Sequence, residues 1–164
     1  MMKRILVFLS CLVLAISVSG QNASLSLLND LRKYRLSFSY EYEINGLQDV
    51  IVQGSAIIQN DCFRMEGAGL LILCNAEDIW TIDIQGKEAY VETAGDMDYA
   101  DYLMDLHWED DALVGSINEP STGAIINFKL FNIIKNSASG DLSIFSPSTD
   151  FFNDGADWII TDLR

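Results

Sequence analysis

Along most of the chain apolar and polar side chains alternate with a period of two, the pattern of strands that bury one face. "LSFSYEYEI" (36–44) sets Leu36, Phe38, Tyr40, Tyr42 and Ile44 on one side and Ser37, Ser39, Glu41 and Glu43 on the other. Further strands are predicted at "VIVQGSAIIQ" (50–59), "CFRME" (62–66), "LLILC" (70–74), "IWTIDI" (79–84) and "KEAYVE" (87–92). The gaps hold turn formers: Asn45 with Gly46, Asn60 with Asp61, Gly67 to Gly69, Asn75 to Asp78, and Gln85 with Gly86.

Residues that oppose each other in a hairpin project to the same face, so parity carries from strand to strand. A five-residue first loop places Tyr42 over Val52 and Phe38 over Ala56. A turn at Asn60 and Asp61 sets Ile58 against Phe63 and Ala56 against Met65. With Gly67 to Gly69 as the next loop, Met65 meets Leu71 and Phe63 meets Leu73. The last two hairpins then pair Leu73 with Trp80, Leu71 with Ile82, Ile82 with Ala89 and Trp80 with Val91. One apolar face of a six-strand meander results, carrying Phe38, Tyr40, Tyr42, Val52, Ala56, Ile58, Phe63, Met65, Leu71, Leu73, Trp80, Ile82, Ile84 and Val91.

A sheet with such a face needs a second layer or must close on itself. Two segments have helical spacing. "ASLSLLNDLRKY" (23–34) repeats Leu25, Leu28 and Leu31, and "DMDYADYLMDLHW" (96–108) sets Tyr99, Leu103 and Leu106 opposite Asp98, Asp101 and Asp105. Strands resume at "ALVGSIN", "GAIINFKLFNII", "DLSIFS" and "DWIITDL". The expected fold is therefore α+β but mainly β: a curved antiparallel sheet, an open half-barrel, covered by a few helices.

The N-terminus changes the setting of this domain. Lys3 and Arg4 precede an apolar run from Ile5 to Val18, and the small residues Ser19 and Gly20 follow. That order is expected of a secretory signal peptide over residues 1–20, cleaved near Gly20, with one domain over 21–164 and a periplasmic location. Cys11 lies inside the apolar run with bulky Leu9 two places before it, which does not fit lipid attachment. Of the ten basic residues two fall in this leader, leaving eight against 24 acidic side chains, a formal charge of −16. A surface of that sign repels phosphate backbones, so no nucleic-acid partner is expected.

Catalytic chemistry is sparse. His107 is the single histidine, and its neighbours Glu109, Asp110 and Asp111 read better as an exposed acidic turn than as a metal site. "NDGAD" (153–157) lacks the alternating oxygen ligands of a calcium loop and reads as a turn. Neither a phosphate-binding glycine loop nor an isolated carboxylate pair stands out. No enzyme activity, cofactor or metal is expected. Cys62 and Cys74 fall opposite each other in the register above, on the outer face, and can either close a disulfide or stand as reduced strand residues. Trp80 and Met65 likewise suit either a plain core or the lining of a cavity for an acyl chain.

"FRMEGAGLLILCNAEDIWTIDIQGKEAYV", with "GSAIIQNDCFRME" before it and the ending "FFNDGADWIITDLR", resembles the LolA-like outer-membrane lipoprotein carriers, especially short exported versions. The resemblance covers about residues 23–92 and the final twenty. The stretch before the aromatic strand is "QNDC", where well-studied carriers have an Arg-Pro pair. What the resemblance implies is a half-barrel capped by helices, with a cavity between them sheltering the acyl chains of lipoproteins on the way to the outer membrane. The implied partners are acylated lipoproteins or lipids, together with inner-membrane release and outer-membrane acceptor machinery, and a monomer is expected. Candidate cavity residues are Phe38, Tyr40, Tyr42, Ile58, Phe63, Met65, Leu71, Leu73, Trp80, Ile82, Leu103 and Leu106. The competing expectation is a non-enzymatic envelope interaction or structural module with a fully packed core and no lipid site. A hydrolase acting on envelope lipids has no motif to support it.

Overall fold

The computed structural model describes residues 30, 33–44, 51–95, 103–118 and 123–164, the side chains of 44 and 103–106 excepted. The expected signal peptide and nearly all of the helix expected over 23–34 lie outside the described residues. Ten strands form one sheet: β1 (Tyr34–Ile44), β2 (Ile51–Gln59), β3 (Cys62–Gly67), β4 (Leu70–Asn75), β5 (Asp78–Asp83), β6 (Glu88–Thr93), β7 (Leu103–Glu109), β8 (Ala112–Asn118), β9 (Ile125–Ser137) and β10 (Ile159–Asp162). Their order across the sheet is β10-β6-β5-β4-β3-β2-β1-β9-β8-β7. All neighbours are antiparallel except β10, which runs parallel to β6.

This architecture corrects the expected α+β half-barrel under a helical lid. The sheet is mixed and open, with β10 and β7 at its edges, and among the described residues neither a helical layer nor a second sheet packs on it. The helix expected over 96–108 is strand β7 from Leu103 onward, paired with β8 through Leu103 and Ile117, Trp108 and Leu113, and Glu109 and Ala112. Residues 96–102 lie outside the described set.

The meander β1 to β6 follows the expected registers in four of its five hairpins. Phe38 pairs with Ala56, Ala56 with Met65, Leu73 with Trp80 and Ile82 with Ala89. The β3–β4 hairpin is the exception. Its loop is Ala68 and Gly69 alone, both at positive φ (51° and 80°), as a two-residue type I′ turn requires. Gly67 belongs to β3 and pairs with Leu70, so Met65 meets Ile72 and Arg64 meets Leu73. A one-residue slip reverses the face of every later residue in the meander. Leu71, Leu73, Trp80, Ile82 and Val91 therefore lie on the side opposite Phe38, Tyr40 and Phe63.

Gly67 is held in the strand by its neighbour across the sheet. On the inner face Tyr40 lies over Gly54 and Gly67, and its hydroxyl donates to the Glu66 carbonyl at 3.2 Å. A Cβ on Gly54 would come within 2.3 Å of the Tyr40 hydroxyl and 2.2 Å of the Glu66 carbonyl oxygen, and one on Gly67 within 2.5 Å of the same hydroxyl. Burial, with Tyr42 and Glu66 nearby, pushes the Tyr40 phenol well above its ordinary range.

Two apolar layers follow from the reversed parity. The inner layer joins Leu36, Phe38, Tyr40 and Tyr42 to Ala56, Ile58, Phe63, Met65, Ile72 and Cys74, and continues through Phe128 and Leu130 to Leu113 and Ile117. The outer layer is Leu71, Leu73, Ile82 and Ala89, capped by Trp80, Phe151, Phe152 and Trp158. Its cover is the strap between β9 and β10. Gln59 exchanges two hydrogen bonds with the Ser139 backbone (2.7 and 3.0 Å). Arg35 donates to the Asp141 carbonyl at 2.7 Å, and its guanidinium sits 5.5 Å from the Phe145 ring centre. Phe145 closes a 3-10 turn (Ser143–Phe145) that touches β3 and β4.

At its far end the strap is pinned by Asp154. That carboxylate accepts from Lys87 Nζ at 2.8 Å, from the Trp158 indole at 3.0 Å and from the Ala156 N–H at 3.0 Å. The lysine first, then the backbone and indole donors, hold its pKa down to about 2. A depressed carboxylate contributes stability above its unfolded pKa and loses it as pH falls through the folded one. The Trp158 indole proton is therefore expected to titrate with a midpoint near 2, whereas a midpoint at the ordinary 3.8 would show these bonds absent in solution.

The slip also separates the cysteines. Cys62 pairs with Asn75 and Cys74 with Phe63, which puts the two thiols on opposite faces, both free and buried. The possible disulfide is corrected accordingly, since a cross-strand bond needs both Cβ atoms on one side. Burial raises both thiol pKa values. Intact-mass measurement without reductant is expected to show both thiols free, with alkylation only after denaturation; a mass lower by two hydrogens would refute this.

Candidate functional site

The twelve residues proposed to line one cavity are not brought together. Phe38, Tyr40, Tyr42, Ile58, Phe63 and Met65 share the inner face, each between 0% and 4% exposed. Leu71, Leu73, Trp80 and Ile82 sit on the other side beneath the strap. Leu103 and Leu106 lie on β7, with side chains outside the described residues.

Open volume lies elsewhere, in a groove of about 370 Å³ on the outer face where β2, β1, β9, β8 and β7 run side by side. The period of two aims Glu41 and Glu43 outward from β1, opposite Lys129 and Asn127 of β9. Ser116 and Val114 of β8 continue the same face to His107 of β7, and Ile51 closes the other side. Glu41 accepts a hydrogen bond from Gln53 at 3.4 Å. Among the described residues no ion pair engages Glu43 or Lys129. No strap residue lines this groove, and the strap's contacts run from Arg35 and Gln59 toward Lys87.

The groove can hold a polar or cationic group against its two glutamates, with Ile51 and Val114 offering apolar contact. Among the described residues no cluster of three or more His, Cys, Asp or Glu side chains is placed to hold a metal ion. The acidic turn after His107 is a tight β7–β8 hairpin with Asp110 at φ 54°. "NDGAD" is the turn pinned by Asp154. Sequence reading found Glu41 and Glu43 on the polar face but missed the groove, because β9 and β8 reach β1 only through long-range pairing. The signal that was available lies in "LMDLHWE", where Met104, Leu106 and Trp108 alternate with Asp105, His107 and Glu109.

No protein-family model and no curated protein matches the sequence. Among solved structures, a protein from Thermus thermophilus described as an uncharacterized conserved protein is similar in fold, with a TM-score of 0.50 and 7% identity. The similarity covers 86% of this chain and 99% of that one. It defines a shared sheet architecture and nothing about ligand or activity. The resemblance to lipoprotein carriers rests on the sequence stretches that carry it.

Proposed function

We propose that this protein is a non-enzymatic interaction module of the cell envelope, a packed sheet whose outward groove receives a basic partner. The observation that carries this reading is the division of the molecule. The ten apolar candidates with described side chains are buried or partly buried on two faces, while the groove carries the carboxylates of Glu41 and Glu43 with His107, Asn127 and Lys129 beside Ile51 and Val114, on a chain of formal charge −14. Charge of this sign steers cationic partners and repels anionic ones.

An NMR titration with a lysine-rich peptide tests it. Shifts are expected at Glu41, Glu43, His107 and Asn127, weakened by salt and by Glu43→Lys. Shifts spread evenly over the acidic surface and indifferent to Glu43→Lys would sink the groove as the contact site.

One observation favours the lipoprotein-carrier reading as a second possibility. The inner face is one continuous apolar layer from Leu113 and Ile117 on β8 to Ile72 and Cys74 on β4, its side chains 0% to 5% exposed. An acyl chain would have to displace what already buries these side chains, each buried methylene contributing about 0.8 kcal/mol. Native mass spectrometry with a triacylated lipopeptide and its unacylated control separates the readings. A one-to-one adduct with the acylated form alone selects the carrier, and no adduct selects the packed module.

A further inference from the structure

We propose that the free edge of β10, at the opposite end of the sheet from the groove, is a strand-addition site for an extended basic and apolar segment of a partner protein. Ile159 and Leu163 donate their N–H groups to the Lys87 and Val91 carbonyls of the β6 side, at 2.9 and 2.8 Å. In a parallel pair the alternate residues point their backbone groups the other way, so Ile160 and Asp162 offer N–H and C=O to an added strand. The edge is pre-ordered. Arg164 anchors the end of the chain to Asp78 at 2.9 Å and to Asp162 at 2.6 Å.

Sheet edges are ordinarily blunted by bulges, charges or proline. The β7 edge follows that rule, with an irregularity between Met104 and His107 and a run into the acidic turn at Asp110 and Asp111. The β10 edge is short and ends on Asp162, but it has neither bulge nor proline, and Ile159, Ile160 and Leu163 are 61%, 51% and 54% exposed within five residues. Such an edge suits β-augmentation, in which main-chain hydrogen bonds give affinity and alternate side chains give specificity.

Charge selects the occupant. The two cations near this edge are already committed, Lys87 to Asp154 and Arg164 to Asp78 and Asp162. Among the described residues no cation pairs with Glu92 or Asp157. A second copy of this acidic chain would be repelled, whereas a strand alternating Lys or Arg with Val or Ile would match both the apolar and the acidic positions.

The test is titration of the full mature chain with a short synthetic peptide alternating lysine and valine, followed by amide hydrogen exchange. Saturable binding with new protection at Ile160 and Asp162 is expected. N-methylation of the peptide's pairing amides should weaken binding by about tenfold or more, and a glutamate–valine peptide should not bind. Ile160→Pro should abolish binding, and the N-methylated probe makes the same point on the unaltered chain. Equal binding of the methylated peptide, no protection at the edge, or no binding at all would overturn the proposal. A concentration-dependent dimer protecting the same amides without peptide would overturn it in favour of self-pairing.

Discussion

Gly54→Ala is expected to lower stability by about 3 kcal/mol, the upper part of the range for overpacking a tight interior. The reason is local and specific. Gly54 lies between Tyr40 on β1 and Gly67 on β3, and a methyl group there would meet the Glu66 carbonyl oxygen at 2.2 Å and the Tyr40 ring at 2.4 Å. One obstacle is sheet backbone, which cannot yield without breaking the β2–β3 ladder. The other is a side chain buried to 0% exposure. Chemical denaturation of both proteins measures the loss. In a Tyr40→Leu background the added methyl should cost about 1 kcal/mol less, the coupling of residues in contact. A Gly54→Ala variant within about 0.5 kcal/mol of the parent, the spread of neutral surface changes, would show that Tyr40 does not occupy this site.

Phe145→Ala should cost about 3–4 kcal/mol, as truncation of a fully buried phenylalanine does. Phe145 is 0% exposed and is the deepest point of the strap, facing the Arg35 guanidinium. Hydrogen exchange distinguishes this loss from a general one. Amides bordering the outer layer, those of Leu71, Leu73 and Ile82, should lose protection before those of Tyr40 and Met65. Uniform loss over both layers would mean that strap and sheet unfold as a single unit, with no sub-global opening of the kind described for local foldons.

These two sites also show what was legible in the sequence. Alternation placed Phe38, Tyr40, Ile58, Phe63 and Met65 on one face because each strand there carries an unbroken period of two. The turn at Asn60, and the Asn75 and Asp83 side chains that accept backbone N–H groups in the next loops, fixed their hairpins from local chemistry. Gly67 misled because glycine reads as loop, while its actual role is to leave room for a tyrosine two strands away. From that one residue Leu71, Leu73, Trp80 and Ile82 were carried to the wrong face, and Cys62 and Cys74 to the same one. The face of "LLILC" could not correct the error, since Leu70 to Cys74 are all apolar and all buried, on both sides of the sheet. Leu103 and Leu106 fit a helical spacing as well as a strand, and only pairing with β8 decides between them. The placement of β9 beside β1 and of β10 beside β6 joins distant parts of the chain, for which local pattern holds no signal.

The strap has a further consequence for the order in which the molecule can be built. The meander is made first, yet among the described residues its outer layer is covered by Phe151, Phe152 and Trp158 of the strap, and β6 gains its last neighbour from residues 159–162. A chain emerging from its N-terminus therefore exposes Leu71, Leu73 and Ile82 until residues 145–164 are available, and long-range closure of this kind is slow and prone to aggregation. A chain stopped short of Phe145 would therefore leave the same sheet with two apolar faces and without the strap over the second.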